Sequence, residues 1–94
     1  MNPRLQRIED RLQQSLSPQS LEIIDDSASH AGHAGVKEHG GGHYFATIVS
    51  DIFEGKSLIQ RHQIVYRSLG ELMQTDIHAF SIKAYTPNEV NKGN

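Results

Sequence analysis

The chain contains no cysteine. That absence excludes disulfides, thiol nucleophiles, a thiolate zinc knuckle and any self-sufficient four-cysteine iron–sulfur site. No apolar run approaches the roughly 18 residues that a membrane span requires. Positive charge is not in surplus either: nine Lys and Arg stand against eleven Asp and Glu, a formal net charge of −2 with histidine neutral. Proteins that live by phosphate contacts are usually basic, so bulk charge gives nucleic-acid binding no support and leaves only a local basic patch open. Acid pairs such as Asp25-Asp26 come without a nucleophile or oxyanion-hole motif, so hydrolase chemistry is set aside and no enzymatic activity is expected. The opening MNPRLQRIEDR carries early acids and no apolar h-region, which argues against a targeting peptide and for a cytoplasmic protein.

What is present is one domain's worth of chain. Its 94 residues, 36% of them hydrophobic, suffice for a compact core but leave no room for a deep cleft between two lobes. Against zero cysteines stand six histidines: His30, His33, His39, His43, His62 and His78. Four of them fall within residues 30–43, which makes histidine the leading carrier of function.

Asn2-Pro3 reads as a helix start, and Leu5, Ile8, Leu12 and Leu16 recur at helical spacing until Ser17-Pro18 stops the helix. Residues 21–26 read as a short strand with Leu21 and Ile23 facing one way. Residues 27–42 are Gly- and His-rich and aperiodic, which predicts a long mobile loop. Residues 43–50 (HYFATIVS) have strand composition and are expected to pair antiparallel with the first strand. A turn with Phe53 and Gly55 follows, Phe53 as a core plug. Ser57 with Gln60 forms a capping box for a helix whose buried face is Ile64, Val65, Leu69, Leu72 and Met73, with a break expected near Arg61-His62. Residues 77–85 read as the last strand, where shared parity with Phe80, Ile82 and Ala84 puts His78 on the core side. Thr86 to Glu89 is a second capping signature, opening a short terminal helix and tail at residues 88–94. The expectation is a single α+β domain over residues 1–94, ordered α-β-β-α(α)-β-α, with three strands and helices on one face.

Three ordered blocks carry a resemblance. IVSDIFEGKSLIQRHQIVY (residues 48–66), IHAFSIKAYTP (77–87) and, more loosely, DDSASHAGH with the His43 strand are similar to the BolA family over nearly the whole chain. The resemblance implies a class II KH-like fold with a mixed sheet. It also implies a heterodimer with a monothiol glutaredoxin that shares a bridging [2Fe-2S] cluster, in iron–sulfur trafficking or iron regulation. The family's ligand at the start of the last strand corresponds to His78. The second, in the loop after the first strand, corresponds to His30, with His33 close enough to compete and His43 in reserve. The bland alternatives are a strand-edge histidine bonded to a carbonyl for His78, and adventitious nickel or zinc binding for the HAGH loop. Imidazole can replace thiolate at such a cluster and raises its potential, and a chain without cysteine must take its sulfur ligands from a partner.

BolA-like proteins have also been viewed as transcriptional regulators, which makes DNA the alternative partner and Lys56, Arg61, His62 and Arg67 the alternative site. The bland reading there is a solvated helix face. FEGKSL has no second glycine for the KH clamp, and Gln63 stands where the family is often basic. Without a partner the chain is expected to be a monomer or weak homodimer.

Overall fold

The structure, a computed structural model, describes residues 3–26 and 42–92. The Asn2 cap and residues 27–41 of the loop expected over 27–42, with His30, His33 and His39, lie outside the described residues, while Gly42, expected in that loop, is instead the buried first residue of a strand.

Helix α1 spans Pro3–Leu16, with proline at the first helical position, where a missing N–H costs nothing. Its stripe of Ile8, Leu12 and Leu16 is buried. Ser17 then ends the helix in the left-handed region at a φ of 43°, its N–H donating to the Gln13 carbonyl at 3.2 Å, and Pro18 cannot continue the helix. Strands β1 (Ser20–Asp25) and β2 (Gly42–Val49) pair antiparallel, with Leu21 opposite Ile48 and Ile23 opposite Ala46. A 3-10 turn at Asp51–Phe53 drops Phe53 into the core with none of its surface exposed. The buried Ser50 hydroxyl holds this corner: it donates to the Leu16 carbonyl at 2.7 Å and accepts from the Ile52 N–H at 3.2 Å. Gly55 turns the chain back at a φ of 73°.

Helix α2 spans Leu58–Leu69 and opens with the expected capping box between Ser57 and Gln60. The break anticipated near Arg61-His62 does not occur. Arg61 faces inward with its guanidinium satisfied, so the helix runs through it and ends at Gly70, whose φ is 53°. Arg11 of α1 donates to the last α2 carbonyls, Ser68 at 3.2 Å and Leu69 at 3.0 Å, placing a cation on the negative end of the helix dipole. A single turn, α3 (Leu72–Thr75), leads into β3 (Ile77–Tyr85), and α4 (Pro87–Lys92) closes the described chain. Thr86 and Glu89 cap α4 reciprocally at 3.1 and 2.9 Å.

The sheet order is β1-β2-β3, with β3 parallel to β2, so the fold is α+β with a three-stranded mixed sheet. Tyr44, Ala46 and Ile48 of β2 share one buried cluster with Ile8 and Leu12 of α1 and Val65 and Leu69 of α2, so both long helices lie on the same face. The opposite face carries exposed Ile24 and Phe45.

One parity expectation fails. Gly42 pairs with Ile77 but His43 pairs with Ala79, so β3 spends an extra residue, His78, against one step of β2. This β-bulge shifts the side-chain alternation. Ile77 and Phe80 are buried, while His78 is exposed instead of facing the core.

Candidate metal centre

The bulge lies where β2 and β3 both begin. Parallel strands start at the same end of a sheet, so the strand–helix–strand crossover brings His43 beside His78. Their ring centroids are 4.8 Å apart with planes tilted by 40°. His78 is exposed and His43 half-buried. Pairing the reserve histidine with the leading one needs only the crossover and the second residue of each strand. A strand followed by a helix and another strand points to parallel pairing, in keeping with the mixed sheet expected from the sequence.

The ground beneath the pair is closely packed. Tyr44 is 2% exposed and lies 6.4 Å from Phe80, centroid to centroid. Burial pushes the Tyr44 phenol above its ordinary range, with the Asp25 carboxylate adding to the shift. Gly42 is required here: a β-carbon on it would lie 2.5 Å from the Tyr44 hydroxyl and 2.6 Å from the ring carbon that bears it. Asp76, immediately before β3, is buried and accepts from Arg7 Nε of α1 at 2.6 Å. That hydrogen bond holds the Asp76 carboxyl below the usual carboxylate range and raises the Arg7 guanidinium. The ends of the segment that carries His30 and His33 are fixed at this corner. The Asp26 N–H donates to the His43 carbonyl at 2.8 Å, and the Gly42 N–H to the Asp76 carbonyl at 3.1 Å.

Neutral imidazole nitrogen is a good ligand for borderline metals such as iron and zinc. Among the described residues no group of three or more His, Cys, Asp or Glu could hold a metal ion. The described part of the corner therefore offers two imidazole rings side by side.

The alternative set, by contrast, does not form one surface. Arg61 is 8% exposed and is used up internally. Its guanidinium donates to the Lys56 carbonyl at 3.0 Å, the Ala84 carbonyl at 3.0 Å, and both Glu89 carboxylate oxygens at 2.8 and 3.0 Å. The pairing raises the Arg61 guanidinium and draws the Glu89 carboxyl down to about 2. Lys56 and Arg67 line a shallow depression on α2 with Gln60, Gln63 and Ile64. His62 opens instead into a groove with Leu58 and residues 82–85 of β3. Sequence spacing could not separate these directions, because the partners that meet the inward Arg61 guanidinium include Ala84 and Glu89, 23 and 28 positions away.

Among the described residues no helix is long and apolar enough to cross a membrane. The sequence profile of the family described as BolA-like protein matches residues 12–89. Protein BOLA1, chloroplastic, of Arabidopsis thaliana is 44% identical over 88 residues, covering 92% of this chain and 55% of that protein. SufE-like protein 1, chloroplastic/mitochondrial, of the same plant is also 44% identical, over 89% of this chain and 24% of its own length. The chain thus spans only a part of these two plant proteins. The DNA-binding transcriptional regulator BolA of Escherichia coli is 34% identical, with 89% and 76% covered. Among solved structures, the BolA domain of SufE1 from Arabidopsis thaliana superposes with a TM-score of 0.80 at 42% identity, covering 95% of this chain and 98% of that one. With a family profile over most of its length, relatives of this identity and a matching fold, the chain belongs to the BolA-like family.

Proposed function

We propose that this protein is a non-enzymatic adaptor that binds a monothiol glutaredoxin and shares a bridging [2Fe-2S] cluster with it as cargo. The observation that carries this reading is the exposed His78 standing 4.8 Å from His43 at one corner of the sheet, in a chain without cysteine. A cluster of this type takes four protein or thiol ligands, and imidazoles can replace two of the thiolates. This chain contributes nitrogen ligands only, so the thiolates come from the glutaredoxin cysteine and glutathione. His78 is the first ligand, and its exposure leaves it within reach of a partner. His30 and His33 belong to the segment whose two ends meet at this corner, and His43 joins them as a candidate second ligand through its contact with His78. The occurrence of a BolA domain within a SufE-like protein fits an iron–sulfur setting.

The test is anaerobic reconstitution with a monothiol glutaredoxin and glutathione, followed by visible circular dichroism. The mixed complex should give a spectrum distinct from that of glutaredoxin alone, lost or altered in His78→Ala. The variants His30→Ala, His33→Ala and His43→Ala then identify the second ligand. A wild-type spectrum that never departs from that of glutaredoxin ends the proposal.

One observation favours a second reading. Lys56 and Arg67 line the same depression of α2, and the Escherichia coli relative is named a DNA-binding regulator. On that reading DNA phosphates meet Lys56 and Arg67, with Arg61 acting only as a structural support. Affinity for duplex DNA should then fall steeply with salt, and the slope should shrink in Lys56→Gln/Arg67→Gln. Binding that ignores salt removes this reading.

A further inference from the structure

The face of the sheet turned away from α1 and α2 is built in rows. The strand registers place Ile24, Phe45 and Ser81 side by side in one row, and Glu22, Thr47 and Lys83 in the next. Ile24 is 55% exposed and Phe45 47%, two large apolar side chains directly opposite each other on neighbouring strands. In the second row a carboxylate on one outer strand and an ammonium on the other flank a central threonine. Both are exposed, and neither forms an ion pair among the described residues. An apolar pair of this size beside unpaired opposite charges is the make-up of a contact surface rather than of an ordinary solvated sheet face.

We infer that this face is a self-association surface and that its occupant is a second copy of this chain. The argument is one of symmetry. Consider two such faces packed against each other about a two-fold axis running along β2. The rotation carries β1 of one copy over β3 of the other without moving the rows along the strand direction. Glu22 then meets the partner's Lys83, and Lys83 the partner's Glu22, so the ion pair forms twice. Phe45 meets its own symmetry mate at the centre, and Ile24 covers the partner's Ser81. The strands stay close to aligned, as face-to-face sheets prefer. A two-fold axis across the strands does the opposite, setting β1 on β1 and carboxylate against carboxylate, so the charges select the first arrangement.

The contact is small. With strands about 4.8 Å apart and rows about 6.7 Å apart, two rows across three strands cover roughly 200 Å² per copy. The total falls well below the roughly 1,000 Å² of lasting interfaces, so the association is weak and concentration-dependent.

Sedimentation velocity from about 10 μM to about 1 mM covers the range of a weak association. The wild type should pass from monomer to dimer over this range. Glu22→Lys and Lys83→Glu should each weaken association by about tenfold, since each reverses two pairs per dimer. The double variant Glu22→Lys/Lys83→Glu should restore the wild-type constant, which a loss of folding could not do. In the wild type, concentration-dependent amide shifts should concentrate on the rows of Phe45 and Thr47. A wild type that stays monomeric at the highest concentration overturns the proposal and leaves this face to a different protein. So does association indifferent to the charge swaps, or shifts confined to the helical side.

Discussion

Replacing Arg61 should unfold this protein well before it abolishes any surface contact. The guanidinium stands 8% exposed and ties three segments together: the Lys56 carbonyl ahead of α2, the Ala84 carbonyl at the end of β3, and the Glu89 carboxylate of α4. Arg61→Ala removes two charge-assisted bonds to backbone carbonyls, each contributing about 1–1.5 kcal/mol, and leaves the buried Ala84 oxygen without its donor. The Glu89 side chain is 46% exposed, so water takes over its share and the ion pair itself adds little. The sum is about 3 kcal/mol, which for a chain of this size lowers the melting temperature by roughly 12–24 °C. Arg61→Lys should recover no more than about a third of that, because one ammonium cannot span three partners in the geometry of a planar fork. Far-UV circular dichroism melts and urea titrations read both variants, and Glu89→Gln completes a double-mutant cycle. A loss below about 1 kcal/mol in Arg61→Ala would refute the reasoning. It would mean that the guanidinium is dispensable to the fold and free for another role.

Gly42→Ala should destabilise by about 1–3 kcal/mol, because its β-carbon would collide with the buried Tyr44 ring; a urea titration that finds it neutral removes the steric argument. Ser50→Ala should cost about 2 kcal/mol by leaving the buried Leu16 carbonyl without its donor, while Ser50→Thr tests whether the hydroxyl alone suffices. Acid should weaken the fold from the carboxylate side. The folded pKa of Glu89 lies at about 2 against an ordinary 4.5, and that of Asp76 is lowered by Arg7, so both stabilise fully above the ordinary range. Their contribution is lost as pH falls from 4.5 through about 2, and the fall in melting temperature over that window should flatten in Glu89→Gln. An unchanged slope in that variant refutes the assignment.

Much of the architecture could be read from local patterns. The α1 stripe, the Ser57–Gln60 and Thr86–Glu89 capping boxes, the turn at Gly55 and the bounds of β3 each follow from residues within one or two turns of one another. Local chemistry decides such features, because caps and periodicities satisfy nearby backbone groups and bury nearby side chains. The uninterrupted run of α2 through Arg61 was not legible, since the partner that lets an arginine turn inward there lies on α4.

The candidate site divides along the same line. Composition determined that the chain can offer imidazole and carboxylate but no thiolate, because there is no cysteine to supply one. The sequence also set a histidine next to the first residue of each of two strands. Only the tertiary structure decided that these two face each other. The parallel crossover brings the strand starts to one corner, and the bulge at His78 turns its ring out of the core parity and toward solvent beside His43. A period-two pattern cannot announce a bulge, because the extra residue is defined by the register of a neighbouring strand rather than by its own chain neighbours.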